Sequence, residues 1–206
     1  MKKLLHIAAS PRLERSHSRR LAKEFIAAFL EKNSDYQLEE IDIGAIEQVR
    51  YGDPGATAKF KSGRDIELTP REAEEWNAAR KSFDALNSAD MVVISTPMWN
   101  FCLPYHLKHW IDQVTQVGWS FGFDPARGYY PMMDNKKTVF IYAAGSTYGT
   151  PEALAYDHLR PYMKLWAKLL GLTYDEVWLE GTNVPDAFAR NDPAARKKIA
   201  ELVAKF

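Results

Sequence analysis

Hydroxyl side chains and one imidazole are concentrated near the start of the chain, in the segment Ser10-Pro11-Arg12-Leu13-Glu14-Arg15-Ser16-His17-Ser18. A helix is expected to begin at the end of this segment, and the first N–H groups of a helix have no partners within it. Together with the helix dipole, these groups suit the binding of a phosphate monoester. The segment matches neither a Walker loop nor GxGxxG, which disfavours ATP and a Rossmann-bound NAD. The alternative is that Ser16 or Ser18 only caps the helix. The candidate phosphate-binding residues are Ser10, Ser16, His17 and Ser18.

Large apolar side chains form a second candidate loop, Pro97-Met98-Trp99-Asn100-Phe101-Cys102-Leu103-Pro104. Such groups directly after a buried strand can support a flat ring, while main-chain amides and an asparagine offer fixed donors and acceptors. A flavin needs this combination, because contacts with its ring and its polar edge tune its reduction potential. The alternative is that the apolar residues only fill the core at a strand end. Cys102 has no evident activating partner and is expected to pack rather than react. The candidate ring-binding residues are Pro97, Met98, Trp99, Asn100 and Phe101.

Small residues dominate a third loop, Ala143-Ala144-Gly145-Ser146-Thr147-Tyr148-Gly149. They permit close approach of the main chain, so Gly145 is a candidate contact for the edge of a ring, although a simple turn would need the same residues. Each of the three loops follows a predicted strand. Ligands of open parallel α/β sheets bind beyond the carboxyl ends of the strands, so the three loops are expected to converge on one site.

The strands that must position these loops are predicted from five segments rich in β-forming residues. Two of the segments contain nearly continuous apolar runs, Met91-Val92-Val93-Ile94 and Thr138-Val139-Phe140-Ile141-Tyr142, which favour strands covered on both faces. Helical patterns alternate with the strands. This alternation predicts an α/β fold with a flavodoxin-like doubly wound five-stranded parallel sheet, in the strand order 2-1-3-4-5. The predicted strands span residues 3–8, 37–42, 90–95, 137–143 and 173–180.

Hydroxyl and proline residues mark the predicted helices. Thr69-Pro70-Arg71-Glu72 is typical of a capped helix start, and this helix should run to about Asn87. Pro161 should kink or split the helix predicted from Thr150 to near Gly171. Residues 43–68 are expected to be long and irregular, with no assigned role. The other helices are predicted to include Leu21 to Phe29, to begin at Pro104, to run from Thr150 to near Gly171, and to start at Asp192-Pro193.

The composition narrows the class of protein. The chain has 206 residues, of which 46% are hydrophobic and 26% charged, and this predicts a single globular domain over residues 1–206. Its 27 basic and 27 acidic residues cancel, so neither general nucleic-acid binding nor membrane binding is expected. No segment approaches the ~20 apolar residues of a membrane span. The lone cysteine favours a reducing, cytoplasmic location.

A possible metal site needs one further comment. His106, His109 and Asp112 are spaced three residues apart and could place ligands on one helix face. No fourth ligand is evident, and a solvated helix face is the favoured interpretation. No metal is therefore predicted.

Two of the loops resemble those of a known family. S-P-R-x-E-R-S-H-S-R-R at residues 10–20 and P-M-W-N-F-x-x-P at residues 97–104 resemble the motifs of the FMN-dependent NADH-azoreductases, relatives of the flavodoxin-like quinone reductases. The similarity extends over almost the whole chain. It implies a homodimer with one FMN per subunit near the dimer interface. It also implies that NADH or NADPH reduces quinones or azo compounds through a ping-pong mechanism.

The resemblance also implies roles for individual residues. Ser10, Ser16, His17 and Ser18 would hold the FMN phosphate, and Met98 to Phe101 would lie along the isoalloxazine ring. The family often has Gln in place of His17 and Tyr in place of Trp99.

The third loop departs further, because many relatives have Ser-Arg-Gly-Gly where this chain has Ala143-Ala144-Gly145-Ser146. The resemblance therefore implies cofactor-binding roles in this loop only for Gly145 and Ser146. Because the family's first serine and arginine are missing, altered substrate preference or flavin tuning is expected. Residues 127–130 would cover the flavin or meet the other subunit. No side chain is assigned as catalytic, since FMN would carry the chemistry at N5.

The same fold also serves two other classes of protein. A flavodoxin-type electron carrier without its own NAD(P)H-dependent activity is expected to have a strongly acidic surface, whereas this chain is neutral. A receiver-type signalling domain is expected to have acidic residues after its first and third strands to hold Mg²⁺. Those positions are occupied by Ala9-Ser10 and Ser95-Thr96, which disfavours that function.

Overall fold

The computed structural model describes residues 1–46, 48–64, 66–133 and 135–206. Its strands are β1 (Lys2–Ala8), β2 (Tyr36–Ile41), β3 (Met91–Pro97), β4 (Phe121–Asp124), β5 (Gly128–Pro131), β6 (Lys137–Ala143) and β7 (Thr173–Leu179). Its helices are α1 (His17–Lys32), α2 (Asp53–Ser62), α3 (Pro70–Asn87), α4 (Tyr105–Val114), α5 (Pro151–Leu154), α6 (Leu159–Leu170) and α7 (Pro185–Lys205).

The five long strands form one parallel sheet in the order β2-β1-β3-β6-β7. Within this sheet β6 and β7 are the fourth and fifth strands along the chain, so the predicted order 2-1-3-4-5 is confirmed. Strands β4 and β5 form a separate antiparallel hairpin.

The sheet is covered on both faces, as the continuous apolar runs predict. In β3, Val92 and Ile94 lie in the core that faces α3, α4 and α6, whereas Met91 and Val93 lie in the core that faces α1 and α7. Side chains of a strand alternate between faces, so a strand with apolar residues at every position is buried on both. The rigid centre therefore fixes the carboxyl ends of β1, β3 and β6, where the three candidate loops begin.

The capping box predicted for α3 is present. The Thr69 hydroxyl accepts a hydrogen bond from the Glu72 N–H at 3.4 Å, and the Glu72 carboxylate accepts one from the Thr69 N–H at 2.8 Å. The helix ends at Asn87, as expected, and α4 begins directly after Pro104.

Two predictions at the C-terminal end of the chain need correction. The last helix, α7, begins at Pro185 and contains Pro193 in its interior, so the start predicted at Asp192-Pro193 is wrong. A proline in the first turn of a helix removes no hydrogen bond, because the N–H groups there have no partner within the helix, and this favours a start at a proline. Both Pro185 and Pro193 therefore predict a helix start, and the structure uses Pro185. The helix predicted from Thr150 is split into α5 and α6, but the break covers residues 155–158 and lies before Pro161.

Two elements arise where the sequence predicted none. Residues 43–68, predicted to be irregular, include α2. Strands β4 and β5 form a hairpin that contains residues 128–130, part of the segment that the resemblance places over the flavin or against the other subunit. Within the described residues, no helix combines the length and apolar character needed to cross a membrane.

Candidate functional site

The three candidate loops meet in a cleft at the carboxyl edge of the sheet. Two residues that follow β7, Thr182 and Asn183, also line it and were not predicted. The ends of neighbouring parallel strands lie together, so the Glu180-Gly181 turn after β7 was the signal that could have pointed to them. The predicted residues that line the cleft are Ser10, Ser16, His17, Pro97, Met98, Trp99 and Gly145, joined by Arg12 and Ala143.

Four predicted site residues lie outside the cleft lining. Ser18 is buried behind Ser16, with the two hydroxyl oxygens 3.2 Å apart. Asn100 and Phe101 lie at the exposed tip of the second loop. Ser146 is exposed, and its carbonyl accepts a hydrogen bond from the Gly181 N–H at 2.8 Å.

The first loop ends at the N-terminus of α1, where Ser16 is the capping residue. Its hydroxyl accepts a hydrogen bond from the Arg19 N–H at 3.3 Å, and its carbonyl accepts one from the Arg20 N–H at 3.0 Å. Because these donors are used, the N–H groups of His17 and Ser18 are the ones left at the first turn for a ligand. The capping alternative is therefore correct for Ser16, but the same residue also lines the cleft.

A buried arginine holds this loop against the sheet. Arg19 is only 7% exposed, and its Nε donates to the Ser10 carbonyl at 2.7 Å. Its two Nη groups donate to the two carboxylate oxygens of Asp42, at 2.7 Å for Nη1, at the end of β2. Burial tends to raise the pKa of Asp42, but the bonds and charge of Arg19 and the N–H groups of Gly44 and Ala45 outweigh it, so the pKa is lowered.

The imidazole of His17 is half-buried beside the same helix end. Its ring packs against the Phe188 ring of α7, with centroids 5.0 Å apart. Burial, together with the charges of Arg20 and Arg12, lowers the pKa of His17. The side chain is therefore mostly neutral near pH 7, and an anion in the cleft would favour its protonated form.

The second loop contains a tight turn under backbone strain. Trp99 and Cys102 exchange two N–H to carbonyl hydrogen bonds, at 2.8 and 2.9 Å. The two central residues have left-handed backbones, with φ of 46° at Asn100 and 69° at Phe101, as in a type I′ turn. Asparagine tolerates this region well, whereas a bulky aromatic residue there is an outlier of the kind found at functional sites. The turn presents the Phe101 ring, 46% exposed, against the Tyr156 ring at 5.2 Å between centroids.

The third loop makes the opposite wall of the cleft from small residues. A Cβ atom at Gly145 would lie 2.4 Å from Asn183 Nδ2, so no larger residue fits there without displacing that amide. The Asn183 N–H donates to the Gly145 carbonyl at 3.0 Å, which continues the pairing of β6 and β7 beyond the strands. The absence of a side chain at Gly145 therefore leaves room for the Asn183 side-chain amide at the cleft, whereas the predicted role of Ser146 has no counterpart in the cleft lining.

The histidines of α4 have structural partners. His106 is buried, and its Nε2 bonds the Ala9 carbonyl, while His109 Nε2 accepts the Tyr51 N–H at 3.1 Å. Asp112 pairs with Lys108 at 2.6 Å. The prediction of a solvated helix face is therefore wrong for His106 and His109 and correct for Asp112. In the part of the chain that the structure describes, no group of three or more His, Cys, Asp or Glu residues could hold a metal ion.

The donor set of the cleft fits FMN. Two free N–H groups at a helix start and buried hydroxyls suit a phosphate, while Met98 and Trp99 form an apolar shelf beside them. This arrangement on a doubly wound sheet defines a flavodoxin-like protein with a nucleotide-type cofactor cleft. A family model described as flavodoxin-like fold matches residues 2–203, and this chain belongs to that family.

Relatives with assigned names share most of the chain. An FMN-dependent NADH:quinone oxidoreductase of Ruegeria pomeroyi is 38% identical over 175 residues, which cover 84% of this chain and 85% of the relative. FMN-dependent NADH:quinone oxidoreductase 2 of Pseudomonas syringae pv. tomato is 33% identical over 98% of this chain and 97% of its own. The crystal structure of an azoreductase from Bacillus anthracis covers 100% of both chains with a TM-score of 0.92 and 28% identity. The resemblance to flavodoxin-like quinone reductases and azoreductases is confirmed.

Proposed function

We propose that this protein is an FMN-dependent oxidoreductase that transfers two electrons from NADH to quinones or azo compounds. The observation that carries the proposal is the cleft in which the hydroxyl-rich start of α1 lies beside the apolar shelf of Met98 and Trp99. The names of the relatives, FMN-dependent NADH:quinone oxidoreductase and azoreductase, support the same chemistry.

The start of α1 would bind the phosphate of FMN. The hydroxyls of Ser10 and Ser16 would donate to the phosphate oxygens, and so would the free N–H groups of His17 and Ser18. Ser18 would act through its main chain and through the hydroxyl of Ser16, 3.2 Å from its own. The partial positive charge at a helix start favours an anion without a lysine.

The second and third loops would hold the flavin ring between them. Pro97, Met98 and Trp99 would support it, with Asn100 and Phe101 at its outer end and Gly145 at its edge. Ser146 would serve, at most, through its main chain. Bound FMN would supply the redox chemistry, taking two electrons from NADH and passing them to the acceptor.

The chain's own task is to bind and orient, so no side chain is assigned as catalytic. If donor and acceptor share the exposed face of the ring in this cleft, they must use it in succession, which is a ping-pong mechanism. NADH, with NADPH as the alternative donor, and the acceptor would stack in turn above the shelf.

Assembly and location belong to the same proposal. The hairpin of β4 and β5 presents Tyr129, 68% exposed, beside the exposed ring of Phe123 at 5.1 Å between centroids. Aromatic residues on a protruding hairpin are a suitable contact for a second copy of the chain in a homodimer. A dimer is expected in light scattering after size exclusion, and a monomeric mass would contradict it. A cytoplasmic location would suit the use of NADH.

The proposed activity is tested by spectroscopy of the purified protein. Bound FMN gives a yellow protein, and NADH should bleach the colour under anaerobic conditions. Steady-state reduction of a quinone by NADH, without an added reductase, separates an enzyme from a flavodoxin-type electron carrier. Protein that is colourless and does not bind added FMN would rule out the proposal.

A further inference from the structure

The side chain of Tyr148 joins the third loop to the second. Its hydroxyl donates a hydrogen bond to the thioether sulfur of Met98, with oxygen and sulfur 2.8 Å apart. The two residues are 50 positions apart in the chain. Tyr148 is only 9% exposed and does not line the cleft, whereas Met98 does, so the hydroxyl reaches the sulfur from behind the lining.

The position of Tyr148 is fixed from the other side by the end of β7. The Tyr148 N–H donates to Glu180 Oε2 at 2.7 Å, and Trp178 Nε1 donates to the same oxygen at 3.1 Å. The Tyr148 and Trp178 rings pack edge to face, 5.7 Å between centroids and at 63°. One carboxylate oxygen therefore orders both the main chain of Tyr148 and the ring that supports it.

The remaining freedom of Met98 is in its side chain. Its main-chain N–H donates to the Ala143 carbonyl at 2.8 Å, so its backbone is already tied to the third loop. A methionine side chain has three rotatable bonds and adapts readily to its surroundings. A hydroxyl that donates to the sulfur selects one of its conformers. Burial raises the pKa of Tyr148, so this hydroxyl remains a donor at and above neutral pH.

We propose that Tyr148 is a positioning residue that holds the Met98 thioether in one orientation beneath the flavin, and that Glu180 and Trp178 hold Tyr148 for this task. The inference rests on the proposed FMN function, because it concerns how the shelf is ordered before the ring binds. An ordered shelf binds a rigid ring without first losing side-chain freedom, which strengthens binding. Sulfur orientation also sets the field at the ring, and therefore the potential of the flavin.

The test is a double-mutant cycle of Tyr148→Phe and Met98→Leu, with FMN affinity measured by fluorescence titration. Loss of the hydroxyl in the wild-type background should weaken FMN binding about 5-fold, the effect of one neutral hydrogen bond. In the Met98→Leu background, which keeps the apolar volume but has no sulfur acceptor, the same change should alter affinity by less than about 2-fold. The flavin potential should shift with Y148F in the wild-type background only.

Tyr174→Phe is the matched control, because it removes a hydroxyl near the opposite end of β7, where Tyr174 pairs with Thr138. It should leave FMN affinity and potential unchanged. An equal effect of Y148F in both backgrounds, or no effect in either, would overturn the positioning role while leaving FMN binding by the wild type intact. Wild-type protein that does not bind FMN would instead reject the proposed function. If Y148F does not fold, M98L still tests the inference, because unchanged affinity and potential in that variant would overturn it.

Discussion

The ionisation of His17 is expected to depend on whether an anion occupies the cleft. Without one, burial and two neighbouring arginines lower its pKa below the ordinary value of about 6.5. A phosphate beside the ring would raise that pKa, so binding would take up a proton. Affinity for FMN is therefore expected to increase as the pH falls from about 7.5 to about 6. Fluorescence titration of FMN across this range measures the effect.

The control for this prediction is His17→Gln, which keeps a polar side chain without the ionisation. The FMN phosphate has its own second pKa near 6, but this acts equally on both proteins. The variant should lose the rise in affinity and bind about 5-fold more weakly than wild type at pH ~6. Parallel pH profiles for the two proteins would show that His17 does not face the phosphate.

The left-handed backbone of Phe101 is expected to cost folding stability. Alanine and glycine both remove the ring and its packing on Tyr156, but only glycine adopts φ of 69° without strain. Phe101→Gly should therefore be more stable than Phe101→Ala by about 1 kcal/mol, after allowance for the greater chain entropy of glycine. Urea denaturation of the proteins without cofactor measures the difference. Equal stability of the two variants would mean that the turn carries no strain.

Helix α7 carries a proline where a helix does not favour one. Pro193 lies inside the helix and cannot donate to the carbonyl four residues earlier, whereas Pro185 lies in the first turn, where no such bond exists. Pro193→Ala is expected to raise the free energy of unfolding by about 1–2 kcal/mol. Pro185→Ala, the matched control, should be neutral or slightly destabilising. Chemical denaturation compares the two, and a destabilised P193A protein would show that Pro193 stabilises α7 in its place on the sheet.

The elements predicted well are those whose signal is local. The central strands β3 and β6 contain nearly continuous apolar runs, and α3 has its capping box within four residues of sequence. Helix α2 was missed because its start is stabilised from a distance: the Gly52 and Gly55 N–H groups donate to Glu75 Oε2 at 2.8 and 2.9 Å. The residues of α2 itself carry only a weak signal, Asp53 and Pro54 in the first turn, because the capping group comes from another helix. Strands β4 and β5 have four residues each, too few for a periodic pattern.

The candidate site shows the same division. The three loops were predicted because each follows a strand and contains hydroxyl, aromatic or small residues in a recognisable order. The groups that order those loops, among them Arg19 with Asp42 and Glu180 with Tyr148, are contacts between distant parts of the chain. Charged residues on a helix usually face solvent, so the sequence predicts nothing about which arginine turns inward.

At the scale of the whole molecule, one corner of the fold depends on ionised carboxylates. A hydrogen bond from His6 lowers the pKa of Glu40, and bonds from Arg20 and Arg196 outweigh burial to lower the pKa of Asp192. The Asp42 carboxylate, with its partner Arg19, belongs to the same corner. These groups join β1, β2, α1 and α7 next to the first candidate loop. A carboxyl group whose pKa is lower in the folded state than in the unfolded state stabilises the fold at pH values above its ordinary pKa, which is near 4.

This corner should therefore weaken in acid, and Asp42→Asn tests the contribution of the Asp42 carboxylate. Removing the carboxylate leaves the buried Arg19 without its counter-ion, so the free energy of unfolding at pH 7 is expected to fall by about 2 kcal/mol. The wild type loses the same contribution as the pH falls from about 4 through the lowered pKa of Asp42, so the difference in stability between the two proteins should shrink steadily below pH ~4. Asp84→Asn, which removes an exposed pair with Arg80, should change stability by less than about 0.5 kcal/mol at any pH. Urea denaturation at several pH values measures these differences. A D42N deficit that is equal at pH 7 and pH 3 would show that the carboxylate charge does not stabilise this corner, and that Arg19 is held by packing alone.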